Sequence, residues 1–112
     1  MTDRDELRSA RTESLFRDVN ERIAETADRL DGNDASFVCE CDDPRCAHRI
    51  ETSLESYELA RKDGATFLVM DEHVNEEIER VVARRRGFSI VEKIKPLVRR
   101  TVRELNPRGD AA

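Results

Sequence analysis

The sequence predicts an α+β domain in which a small antiparallel sheet, including one cysteine-bearing hairpin, is flanked by N-terminal, middle and C-terminal helices. Three observations predict it. Apolar residues recur at helical spacing in three segments, and at strand spacing or in short runs in five, in the order α-β-β-α-β-β-β-α. Turn residues punctuate them at Asp31-Gly32-Asn33, Asp42-Asp43-Pro44-Arg45, Asp63-Gly64 and Arg85-Arg86-Gly87. Finally, FVCECDDPRCAHRIE, residues 37–51, packs all three cysteines into eight positions. At 112 residues the chain is read as one domain, 1–112, since chains divide only well beyond this size.

The first helix is expected over 5–30. Phe16, Val19, Ile23, Ala27 and Leu30 fall three and four residues apart on one face, with Arg17, Asn20, Glu21, Asp28 and Arg29 on the other. Up to Leu15 the segment is weakly apolar and expected to fray, and Gly32 suits a left-handed cap at its end. Residues 36–41, SFVCEC, read as a strand with Val38 and Glu40 on one side and Phe37, Cys39 and Cys41 on the other. The turn at Asp42–Arg45 returns the chain through Cys46 to Ile50 as the second strand of a hairpin. Thr52-Ser53-Leu54-Glu55 resembles a capping box opening a helix over 54–62 that buries Leu54, Tyr57 and Ala60.

ATFLVM, residues 65–70, is the most apolar run and the candidate for a buried central strand. Asp71 to Glu77 reads as a loop, and Ile78 to Ala83 as either helix or strand, with the Arg85–Gly87 turn favouring a hairpin onto Phe88 to Val91. In that last strand Phe88 and Ile90 alternate against Ser89 and Val91. Pro96 suits the first turn of a closing basic helix over 95–106, whose stripe is Ile94, Leu97, Val98, Thr101, Val102 and Leu105. Residues 107–112 read as a loose tail, and the α+β core between the terminal helices spans 36–93.

Composition narrows the chemistry. Hydrophobic residues are 38% and aromatics 4%, so the core is thin for the length and a staple is expected. The charged N-terminus, MTDRDELRSARTE, has no apolar run of the kind a secretory signal needs, and no segment approaches the ~20 apolar residues of a membrane span. A cytoplasmic setting follows as the expectation, where clustered thiols mean metal or redox chemistry more often than disulfides. The net charge of −5 is unevenly spread. Residues 1–83 carry 11 basic and 22 acidic side chains, residues 84–108 carry nine basic and two acidic, and Asp110 completes the sum. Such a split marks either a surface for an acidic partner or a basic segment packed on its own acidic body.

The cysteine spacing is C-x-C-x4-C. Two residues apart in a strand, Cys39 and Cys41 project to one side, and the Asp-Asp-Pro-Arg turn brings Cys46 back to it. Thiolates are soft ligands that favour Zn2+, whose structural sites take four protein ligands. The fourth has two candidates, His48 and His73, the only histidines of the chain. His48 follows Cys46 by two residues and shares its strand parity, while His73 follows the ATFLVM strand in DEHVNEE. The competing uses of the same cysteines are a redox-active set and plain packing. Asp42, Asp43, Arg45 and Arg49 surround the cluster with charge, either supporting a bound ion or simply solvating a turn.

FVCECDDPRCAHRIE, SLESYELAR, FLVM with a following histidine, EIERVV and GFSIVEK together resemble a family of small uncharacterised bacterial proteins. Their pattern is C-E-C-G-x-P-x-C, an L-x-E-Y-E helix, a histidine loop and a G-aromatic-x-V-V-E-K strand. The resemblance covers about residues 15–93 and implies that His73 rather than His48 is the fourth ligand. It implies no activity. This chain departs from the pattern with Asp42 where the family usually has Gly, and with Asp71-Glu72 where it often has Pro-Gly.

Three functions compete for these features. A zinc-stapled regulatory or adaptor module, not an enzyme, would meet a protein or nucleic-acid phosphates through Arg84, Arg85, Arg86, Lys93, Lys95, Arg99, Arg100 and Arg103. A thiol-based redox sensor would use the same cysteines. A small zinc hydrolase would need a general base, for which Glu40 and Glu72 are the candidates, but the chain lacks the H-E-x-x-H and H-x-E…C-x2-C patterns of known zinc hydrolases and deaminases.

Overall fold

The computed structural model describes residues 2–109; the last part of the expected tail, residues 110–112, lies outside them. The elements follow in the predicted order: α1 (Asp3–Arg29), β1 (Asp34–Val38), β2 (Arg49–Ser53), α2 (Leu54–Ala60), β3 (Thr66–Met70), β4 (Glu79–Arg85), β5 (Phe88–Lys93) and α3 (Pro96–Glu104), with a 3-10 turn at Asp71–His73. The fold is α+β. Its strands are divided between two antiparallel sheets, β1-β2 and β3-β5-β4.

α1 starts earlier than its apolar pattern indicates. Thr2 and Asp5 form a reciprocal capping box, and Asp3, Asp5 and Glu6 place negative charge at the positive end of the helix, so the first turns are ordered rather than frayed. The left-handed residue after the helix is Asp31, at φ 56°, while Gly32 donates back to the Ala27 carbonyl at 2.7 Å. The face that turns inward is not the apolar stripe. It carries Ala10, Glu13, Arg17, Asn20, Glu21 and Ala24, and leaves Val19 and Leu30 exposed with Phe16 and Ile23 half-buried.

β1 and β2 pair in register with Phe37 opposite Ile50. Phe37 stacks flat on Tyr57 of α2 at 4.4 Å between ring centres, joining the first sheet to the middle helix. α2 is capped by Ser53, whose hydroxyl accepts the Ser56 N–H, rather than by a Thr52–Glu55 box. The strands of the predicted hairpin stop at Val38 and restart at Arg49, so the cysteines lie in the ten-residue connection. The reason is a change of partner: Cys39 still donates to the His48 carbonyl, but Glu40 donates to the Leu68 carbonyl of β3 at 2.8 Å.

β5, not β3, is the middle strand of the second sheet, and Phe88, Ser89, Ile90 and Val91 are all buried. Both sides of β5 are therefore buried, which removes the expected alternation. β3 is nevertheless enclosed, because its free edge is occupied by the 39–48 connection. The segment from Ile78 resolves as strand: β4 closes a hairpin onto β5 through Gly87 at φ 85°, where a side chain would be strained. A bulge between Val81 and Ala83 leaves Val82 turned to solvent. α3 packs Val98 and Val102 beneath α1 with Pro96 in its first turn.

Candidate metal centre

Two segments far apart in sequence build the site. The β1–β2 connection supplies Cys39, Cys41 and Cys46, and the 3-10 turn after β3 supplies His73. One ligand atom from each of the four lies within 4.8 Å of every other. The Sγ atoms of Cys39 and Cys46 both sit 3.5 Å from His73 Nδ1. A tetrahedral ion with metal–sulfur bonds of about 2.3 Å and metal–nitrogen bonds of about 2.05 Å sets sulfur and nitrogen about 3.5 Å apart. The two sulfur–nitrogen spacings match that geometry, and the cluster as a whole is compatible with a metal site. His48 is exposed, stands edge-on to His73 with ring centres 5.0 Å apart, and is not one of the four.

The backbone prepares the sulfurs. Met70 N–H donates to Cys39 Sγ at 3.2 Å, Asp43 N–H to Cys41 and His48 N–H to Cys46. Such donors stabilise thiolate charge and orient the ligands. Among themselves the thiols share protons unequally. The hydrogen bond from Cys39 holds the Cys41 pKa down to about 5, and giving that bond, together with burial, pushes Cys39 far up; burial raises Cys46. Asp43 shapes the turn by accepting from Arg45 N–H at 2.9 Å and Cys46 N–H at 3.0 Å. Asp42 accepts from Ser9 of α1 and Asn75 of the following loop, tying the cysteine connection to both.

Glu40 is the residue whose role sequence reasoning missed. It points away from the two cysteines that flank it, is fully buried, and accepts from both terminal nitrogens of Arg61, from Asn20 Nδ2 and from Leu68 N–H. Burial works against the Arg61 cation, yet its pKa ends above the ordinary value because Glu40, Tyr57 and Glu21 together outweigh that cost. A carboxylate committed in this way cannot serve as the general base of a hydrolytic site, and the Glu40 candidacy is overturned. The signal available was parity: in C-E-C the glutamate faces opposite to the thiols. Glu72, the other candidate, is exposed on the 3-10 turn.

The expected basic partner surface is dismantled in part. Lys93 is wholly buried, donating to the carboxylates of Glu13 and Glu79, because the central strand β5 places it between α1 and β4. Arg103 pairs with Asp63 at 2.9 Å, and Arg99 donates to the Lys93 carbonyl at 2.7 Å. Arg84, Arg85, Arg86, Lys95 and Arg100 do face solvent. The tail expected from residue 107 is anchored at Arg108, which holds Glu21 and Glu58 with paired contacts of 2.6 to 3.0 Å. No helix among the described residues is long and apolar enough to cross a membrane. Comparison with protein-family models, with curated proteins and with solved structures finds no match to this chain, so the site is interpreted from its own atoms.

Proposed function

We propose that Cys39, Cys41, Cys46 and His73 hold one Zn2+ as a structural clasp, in a small cytoplasmic adaptor or regulatory protein that is not an enzyme. The observation that carries this is the convergence of three thiols and one imidazole, from segments separated by β2, α2 and β3, within 4.8 Å. The donor set favours zinc, since thiolates are soft and four protein ligands complete a tetrahedral ion with no position left for substrate. The ion would fasten the β1–β2 connection to the end of β3, and thereby the two-stranded sheet to the three-stranded one. A set of three thiolates and one imidazole on Zn2+ is net −1, a charge the N–H donors and the neighbouring Arg45 suit.

The test is native mass spectrometry of the purified protein before and after chelation. One zinc per chain is expected, kept by His48→Ala and lost by His73→Ala, with unfolding at a lower temperature once the metal is removed. A metal-free protein that melts unchanged after chelator treatment refutes the proposal. Retention of zinc by a folded His73→Ala variant would instead point to an open, water-completed site.

A further inference from the structure

We infer that the outward ridge of α1, with the groove beside it, docks an acidic helix-forming segment of a partner protein. This rests on the adaptor half of the proposed function and is independent of the ion held by the cysteines.

α1 has 27 residues and so is about 40 Å long. Its outward positions recur every three or four residues, with one step of seven over Thr26: Arg4, Arg8 and Arg11 in the first third, Leu15 and Val19 in the middle, Arg22 and Arg29 in the last. All seven are exposed, and none of the five arginines forms an ion pair among the described residues. The chain has 25 acidic and 20 basic side chains, yet of the acidic residues of α1 only Asp18 comes within about 60° of this line at about 100° per residue. Next to Val19 a groove of about 510 Å³ opens between α1 and β1, with apolar walls from Val19, Ile23, Ala27 and Ala35, flanked by Arg22 and Arg49.

An apolar groove bordered by guanidinium groups is complementary to an apolar anchor surrounded by carboxylates. A ridge with helical period and this length accommodates a second helix laid along it. Nucleic acid would engage the arginines but leave Leu15, Val19 and Ile23 without contacts, and the ridge has no aromatic side chain on which bases could stack. A second copy of the chain, paired antiparallel about a two-fold axis, would set Arg4 to Arg11 against Arg22 and Arg29 of its mate, an arrangement of like charges.

The probe is a displayed library of helix-forming peptides selected against the full-length protein. Enriched peptides are expected to combine Asp and Glu with apolar residues at i, i+4 and i+7, and a synthetic one to shift the amide signals of Val19, Ile23, Ala27 and Ala35. Val19→Glu, or Arg22→Glu with Arg49→Glu, should weaken it by about tenfold or more, and Arg85→Glu should not. Val19 is 40% exposed, so its replacement should leave metal content and melting unchanged, which separates lost docking from lost folding. The inference is overturned by no enrichment, by enriched peptides without acidic residues, or by equal binding to the Val19→Glu variant. Tighter binding of a short DNA duplex or a phosphatidylserine vesicle through this face, or a dimer abolished by Val19→Glu, overturns it too. A protein that binds the peptide but carries no metal refutes the clasp alone; one that carries zinc but selects nothing refutes the docking alone.

Discussion

The inward face of α1 presents Glu13, Arg17, Asn20 and Glu21 to the interior, whereas its outward face presents Leu15 and Val19 to solvent among arginines. The difference lies in what each side chain finds. Asn20 brackets Val38, donating to its carbonyl and accepting from its N–H, both at 2.8 Å, and also donates to Glu40. Arg17 donates to the Gly64 carbonyl at 2.8 Å and the Val102 carbonyl at 2.7 Å, with its guanidinium 4.7 Å above Phe67. Glu21 holds Arg108, and Glu13 holds Lys93. In a domain with a thin apolar core, these polar groups link one helix to β1, β5, α3 and the residues beyond it. Among the described residues the outward side chains have no such partners, so apolar atoms there are available for another molecule. A buried polar group that is fully paired specifies its neighbours more narrowly than an aliphatic one, which packs against many shapes.

Removing a partner from the inward face should therefore cost most where several groups depend on it. Glu40→Ala leaves Arg61 as an unpaired buried cation and strips acceptors from Asn20 and Leu68; urea unfolding is expected to show a loss of about 3–5 kcal/mol. If it costs no more than about 0.5 kcal/mol, what an ordinary surface change costs, the inward face is not the organising one. Next comes Arg17→Ala, which frees two buried carbonyls and opens space beside Phe67, for about 2–3 kcal/mol by the same measurement.

Glu13 sharpens the comparison through pH. Burial pushes its pKa up to about 8, opposed by Lys93, and its second oxygen has no hydrogen-bond partner among the described residues. A buried ammonium flanked by two carboxylates is closest to neutral when one of them keeps its proton. Because the folded value lies above the ordinary 4.5, the folded state binds the extra proton between the two. The contribution of Glu13 is then full below about pH 4.5 and lost as pH rises through about 8. Unfolding midpoints at pH 5 and 8 should differ less in Glu13→Gln than in the parent, with the variant gaining at pH 8. An unaltered pH dependence would mean the carboxylate is ionised throughout. The smallest effect belongs to the outward face: Leu15→Ser, at a position 64% exposed, should change stability by no more than about 0.5 kcal/mol in thermal melts.

Much of the fold was legible locally. The order of eight elements, the turn at Gly87, the Pro96 start of α3 and the apolar β3 all follow from propensities that act over a few residues. The cysteine cluster was legible as residues but not as geometry. Strand parity placed Cys39 and Cys41 together, yet the connection leaves strand pairing at Glu40, a long-range bond to β3 that no local pattern encodes. The orientation of α1 was misjudged because its more apolar stripe, Val19 to Leu30, lost the interior to a polar face with better partners.

Sequence alone determined the α+β class, the helix and strand order and the set of soft ligands, since these depend on side-chain type and short-range spacing. Only the tertiary structure brought His73, which the resemblance implied and residue spacing left open against His48, beside the thiols; it alone decided that Glu40 and Lys93 are buried ion-pair partners rather than base and docking cation, and which face of α1 meets water. The physical reason is common to all three. A charged or polar side chain goes inside only if partners distant in sequence arrive to compensate its lost hydration, and their arrival is a property of the assembled chain.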